Sequence, residues 1–140
     1  MIIVDTNVIS EWLRPDADQT VIAWYNAQAT SETYVTAITE AEMRFGVVRL
    51  PPGKERDALG PRVAALFEIG FQHRRLPFDS AAAVVFAEMV AKAGLNPKHI
   101  DLFDAQIAAI TLAQSATLAT RNTKDFAIYG VDLVNPWKSD

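Results

Sequence analysis

A chain of 140 residues, half of them apolar and about a fifth charged, has the size and composition of one globular domain with its own core, not of a disordered tail. It contains no cysteine, which excludes a disulfide framework, a zinc–thiolate site and a thiol nucleophile. A net charge of −4 argues against a broad nonspecific nucleic-acid footprint, but not against a nuclease whose site is itself built from carboxylates.

Residues 1–4 form an unbroken apolar run that ends on Asp5. Such a run without alternation predicts a short strand buried on both faces, as in parallel sheets. Asp5 then stands at the strand's carboxyl end, where open α/β sheets place their ligands. Residues 7–13 have helical apolar spacing, with Thr6 or Asn7 as cap and Arg14-Pro15 as stop. Residues 16–29 read as a second helix capped by Asp16 or Asp18. The β-branched and aromatic stretch 33–38 predicts a strand ending near Thr36. Thr39 then opens a helix to residue 48, with Glu42 three residues on in a capping-box pattern.

Leu50-Pro51-Pro52-Gly53 breaks the chain, and residues 55–70 follow as a helix interrupted or kinked at Gly60-Pro61. Residues 74–78 predict a short strand that Pro77 confines to an edge or an end. Residues 80–93 form a helix capped by Asp79 or Ser80 and stopped by Gly94. Residues 100–115 form an alanine-rich helix, 116–120 a strand, 122–126 one or two helical turns, and 131–134 a last strand. Strands alternate with helices throughout. The expectation is therefore a single α/β domain over residues 1–140, with a mainly parallel central sheet of four to five short strands flanked by helices. No apolar run approaches the roughly 18 residues of a membrane span, and the opening reads as a strand rather than a leader. The expected address is cytoplasmic, with no membrane partner.

Four acids stand out by context. Asp5 either caps the following helix or serves as a ligand at the sheet edge. Glu42 is either the third residue of a capping box or a ligand, whereas Glu40 pairs with Arg44 four residues on. Asp104 has Ile107 and Ala108 at i+3 and i+4, so it projects from a face that otherwise reads as core; Asp101 suits the helix start better. Asp125 follows a strand closely and is either a turn residue or a fourth acid. Positions after strand ends and in the next helices converge at one edge of a parallel sheet. Several carboxylates gathered there repel one another unless a hard, oxygen-seeking cation joins them, and Mg²⁺ or Mn²⁺ meets that need. The chemistry that uses such a centre is phosphoryl transfer to a metal-activated water.

The segments IIVDTNVISEWLRP, TAITEAEMRFGV, DLFDAQIAAITLA and ATLATRNTKDF, with VNPW near the end, span nearly the whole chain. In these it resembles a PIN-domain protein, specifically a VapC-type toxin of the FitB-like branch. The resemblance implies a PIN-like fold and a Mg²⁺- or Mn²⁺-dependent endoribonuclease held inactive by a small cognate antitoxin. It carries the metal and catalytic roles onto Asp5, Glu42 and Asp104. The fourth position falls on Asp125, with Asn122 orienting it, although some relatives carry Asp where Asn122 stands. Thr6 and Asn7 match the polar cluster beside the first acid, and Thr120 has similar chemistry. Arg44, Arg121 and Lys124 are the cations nearest these motifs and the candidate phosphate contacts.

Two other readings are weighed against this one. A phosphatase with a strand-end Asp nucleophile wants a second Asp two residues on, and Asn7 stands there. A degenerate domain that only binds protein or nucleic acid has no need of three such acids. His73 and His99 read as surface residues without metal-ligand spacing. The aromatic residues Trp12, Trp24, Tyr25, Phe45, Phe67 and Phe71 are either core or a surface for an antitoxin helix or a second copy of the chain, which makes a homodimer or larger toxin–antitoxin assembly the expectation. DNA is expected to be reached only through the antitoxin.

Overall fold

A computed structural model describes residues 1–138. Strands β1 (Ile2–Val4), β2 (Thr33–Thr36), β3 (Arg75–Leu76), β4 (Thr117–Ala119) and β5 (Asp132–Val134) form one sheet in the order β3-β2-β1-β4-β5, every pairing parallel. Helices α1 (Thr6–Trp12), α2 (Gln19–Asn26), α3 (Ala37–Val48), α4 (Lys54–Ala65), α5 (Ser80–Ala93), α6 (Leu102–Ala113) and α7 (Thr123–Ala127) make the connections. The expected α/β architecture holds, with five strands.

The apolar run at the start is buried on both faces for a geometric reason. Successive strand side chains point to opposite sides. Ile3 joins a core group with Leu118, Ile107, Ile110 and Phe126, and the parallel register sets Tyr34, Ile3, Leu118 and Leu133 side by side across the sheet. Val4 and Val35 point the other way, into a group with Val8, Ile9, Met43, Val63, Phe67 and Phe71. Two cores sandwich one sheet.

Local chemistry sets the helix limits. Asp18, Asp79 and Asp101 cap α2, α5 and α6 by accepting backbone N–H bonds, and Gly94 ends α5 in the left-handed conformation at φ 65°. Two expectations are corrected. Of the three residues weighed as cap of α1, Asp5 holds the position and Thr6 and Asn7 do not, because Asp5 Oδ1 accepts the Thr6 N–H at 2.8 Å. The cap of α3 is Thr36, whose hydroxyl accepts the Thr39 N–H at 3.1 Å. The helix thus starts before Thr39, and Glu42 lies in its second turn with no capping box to serve. Pro61 does not interrupt α4. The irregularity comes later, where Leu66–Gly70 widens into π-type turns.

Phe67 and Phe71 lie in the core, and Trp12 packs edge-on against Tyr25. Of the six aromatic residues weighed as a docking surface, Phe45 is the one left largely exposed, at 65%. His73 and His99 are exposed, as expected.

Candidate active site

Strand order reverses beside β1: the chain moves outward through β2 and β3, then returns to β4 on the other side. The segments leaving β1 and β4 therefore part, which leaves a crevice at the carboxyl edge of the sheet. Asp5 sits there, 4% exposed, its N–H bonded to the Ala119 carbonyl at 2.9 Å. Its carboxylate is held from three sides. Oδ1 accepts the Thr6 N–H, and Oδ2 accepts the Thr120 hydroxyl at 2.8 Å and the Asn7 amide at 3.2 Å. Thr120 Oγ1 in turn accepts the Asn122 N–H at 3.0 Å, and Asn7 Oδ1 accepts the Arg121 N–H at 3.3 Å. One hydrogen-bonded net thus ties the end of β1 to the end of β4.

Glu42 comes from α3. The Thr6 hydroxyl donates to its Oε1 at 2.9 Å, and the Thr39 hydroxyl lies 3.0 Å from the same Thr6 oxygen. Asp104 comes from the first turn of α6, where its N–H donates to Asp101 Oδ1 at 3.1 Å. Asp5, Glu42 and Asp104 line a single open cleft of about 410 Å³, together with Thr6, Asn7 and Asn122.

The electrostatics of the cleft follow from like charges gathered around one buried and two half-buried carboxylates. Burial raises the Asp104 carboxyl to about 7, and the charges of Asp101, Asp5, Glu42 and Asp125 add to the rise. Burial also lifts Asp5, against the pull of its Thr120 and Thr6 hydrogen bonds, with Asp101 adding to the rise. Glu42 rises through burial, opposed by the Thr6 hydrogen bond and assisted by Asp5 and Asp101. Among the described residues none of these acids takes part in an ion pair; Arg14, Arg44 and Arg75 pair with Glu11, Asp16, Glu40 and Glu68 instead.

The donor set suits a hard divalent cation: carboxylate oxygens in excess, no sulfur, no imidazole, and acids that form no ion pair among the described residues. No group of three acidic or histidine side chains among the described residues converges into a ready cage.

The structure does not gather every residue picked out in the sequence. Asp125 is exposed and lines a neighbouring cleft with Lys124, while Asn122 lines both clefts. Asp125 reaches the acids only through its charge on Asp104. Arg121 lines both clefts as well. Arg44 lines neither: it is bound to Glu40 at 2.8 Å and to Glu68 at 3.4 Å, and Arg75 also meets Glu40, at 3.1 Å. Asn7, where a phosphatase needs its second Asp, spends its amide on Asp5 and Thr120.

Sequence reading missed Ser10, Glu11 and Arg14, which line the acidic cleft from α1 and its end. Their signal was the i, i+4 step from Asn7 to Glu11 and Ser10 to Arg14, which puts them on the helix side nearest the cleft. It also took Asp101 for a dipole-stabilising residue of the first helical turn alone, whereas Asp101 caps α6. Its charge also acts on all three acids.

A parallel sheet ordered β3-β2-β1-β4-β5 with acids gathered at its carboxyl edge is the frame of one known class. The sequence pattern of the family described as PIN domain matches residues 2–131, and the chain belongs to that family. Within it the chain stands with the VapC and FitB proteins. It is 40% identical to the VapC ribonuclease Y4jK of Sinorhizobium fredii over 138 residues, covering 99% of both chains. It is also 40% identical to Toxin FitB of Neisseria gonorrhoeae over 137 residues, covering 98% of this chain and 99% of that one. The solved structure of FitAB bound to an IR36 DNA fragment superposes with a TM-score of 0.91 at 40% identity, covering 100% of this chain and 98% of that one.

Proposed function

We propose that this chain is the toxin of a toxin–antitoxin pair, an endoribonuclease that hydrolyses RNA phosphodiester bonds with Mg²⁺ or Mn²⁺. The observation that carries the reading is the meeting of Asp5, Glu42 and Asp104 around one cleft, where among the described residues none of the three forms an ion pair. In this reading Asp5 and Asp104 hold the cation and Glu42 completes or orients its surroundings. Bound there, the cation would offset the negative charge of the phosphodiester and lower the pKa of water so that hydroxide is available at neutral pH.

The protein's own part is positioning. Thr120, Asn7 and the Thr6 N–H fix the Asp5 carboxylate, and the Thr6 hydroxyl fixes Glu42. Each group is thereby locked before substrate arrives, which lowers the cost of organising the reacting state. Asn122 takes the fourth position at the rim, and Asp125 acts on the site through its field. Arg121 and Arg14 border the acids closely enough to meet phosphate.

A cognate antitoxin holds the chain inactive in the cytoplasm, and any contact with DNA runs through that antitoxin. The relative solved as FitAB on DNA supports this. Phe45 and Val48, 65% and 64% exposed on α3, offer apolar surface for an antitoxin or a second copy. The test is digestion of RNA by the purified chain with Mg²⁺, with Mn²⁺ and with chelator. Cleavage should need the cation and should fall at least a hundredfold in Asp5→Asn. Undiminished cleavage by Asp5→Asn overturns the assignment.

A further inference from the structure

Beside the acidic cleft lies a second one of about 580 Å³, most of whose lining the catalytic reading leaves without a task. Trp137 and Asn135 form one wall. Asn135 Oδ1 accepts the Trp137 N–H at 3.0 Å, and the Asn135 carbonyl accepts the Lys138 N–H at 3.1 Å, so the turn is locked by its own side chain. The Trp137 ring leans on the core group around Val4 and Val8. The Arg121 guanidinium lies over that ring, 5.1 Å from its centroid, while the residue remains exposed.

An exposed guanidinium held over an indole presents a planar cation to solvent. It is the kind of plane on which an unpaired base stacks. Lys124 and Lys138 join Arg121 in the lining, with Asp125 as the opposing charge. Neither Arg121 nor Lys124 forms an ion pair among the described residues. The two clefts share Arg121 and Asn122, so a strand whose phosphate lies at the acids passes directly onto this surface.

We propose that the cleft formed by Arg121, Lys124 and Trp137 is a subsite for the nucleotide flanking the cleaved bond of a single-stranded RNA. The base stacks on the Arg121 plane propped by Trp137, and Lys124 meets the adjoining phosphate. Arg121 and Trp137 are positioning residues, and stacking makes the subsite tolerant of base identity and intolerant of duplex. The subsite rests on the ribonuclease reading above.

Binding and cleavage separate the two. In the Asp5→Asn chain, with Mg²⁺ present, a single-stranded oligonucleotide carrying 2-aminopurine should bind with quenched fluorescence. Arg121→Gln should weaken binding about tenfold and abolish the quench. Arg121→Lys should keep part of the affinity but not the quench, because charge survives and the plane does not. Lys124→Gln should reduce the slope of log K against log salt by about 0.7, the share of one phosphate contact on a single strand. Lys92→Gln, an equal charge loss on α5, should leave binding and quench unchanged, and Trp137→Phe, which keeps a ring for support, should fall between parent and Arg121→Gln.

The subsite is overturned if the parent binds no single-stranded RNA, or if Arg121→Gln and Lys124→Gln match it in affinity, quench and salt slope. The same substitutions in the active chain should raise KM with little change in kcat. Cation-dependent cleavage with KM unmoved removes the subsite and leaves the ribonuclease. Arg121-dependent quenching in a chain that cleaves no RNA under any cation removes the ribonuclease, and with it the subsite, and leaves only a single-strand binding surface.

Discussion

At the scale of single residues, Asp5 shows that capping a helix and serving a site are compatible tasks for one carboxylate. An ionised carboxylate offers about four lone-pair directions. The Thr6 N–H, the Asn7 amide and the Thr120 hydroxyl occupy three of them, so capacity remains for a cation or its water. Thr120 is the most exacting partner, since it is fully buried and gives Asp5 the strongest downward pull against burial. Thr120→Val keeps the shape and removes that donor. The Asp5 carboxyl then rises further and is harder to ionise, so the acid limb of the cleavage pH profile should move to higher pH. Loss of the buried hydrogen bond should cost about 1–3 kcal/mol in denaturant unfolding. Thr120→Ser should restore both. An unmoved acid limb in Thr120→Val would remove Thr120 from the site.

Legibility at this scale depended on whether a residue's position followed from local pattern. Asp5 and Asp104 were visible because an acid at a strand end, or on an apolar helix face, conflicts with its surroundings. The choice between Asn122 and Asp125 was not, because it turns on how a five-residue helix is rotated against β4 and β5, which no periodicity records. Arg14 was hidden by Pro15, which marks a stop whether or not the preceding side chain faces a cleft.

At the scale of elements, α3 carries the lesson. Thr36 and Thr39 are both threonines ahead of an apolar helix, and local sequence favours the second because Glu42 follows it at capping-box spacing. The chain instead begins the helix directly off β2, since Thr36 ends that strand with extended backbone and a hydroxyl aimed at the Thr39 N–H. Glu42 is then carried a turn further along, which turns it from the helix start toward Thr6. Thr36→Ala should cost about 1 kcal/mol, seen as a lower denaturation midpoint at unchanged m-value. Thr36→Ser should recover most of it, and equal stability of the Ala and Ser variants would exclude the cap. By contrast Asp79 and Gly94, which bound α5, were legible because each is the strongest signal in its neighbourhood.

At the scale of the whole molecule, gathering Asp5, Glu42, Asp101 and Asp104 at one sheet edge sets stability against function. In the unfolded chain Asp104 ionises near 3.8, while in the fold it does so at about 7. Between those values the folded state binds more protons, so stability falls as pH rises through that window. Asp5 and Glu42, also raised, act in the same direction. Asp104 is partly solvated, so the loss should come to about 1–2 kcal/mol after screening, roughly half or less of what an unscreened shift would give. Without divalent cation, the melting temperature should fall by about 3–8 °C between pH 5 and pH 8. Mg²⁺ binds the ionised carboxylates of the folded chain, so its stabilisation should be larger at pH 8 than at pH 5. Asp104→Asn should flatten the metal-free profile, raise the melting temperature at pH 8, and abolish cleavage. A melting temperature in Asp104→Asn that still falls with pH as steeply as the parent's would place the strain elsewhere than in this cluster.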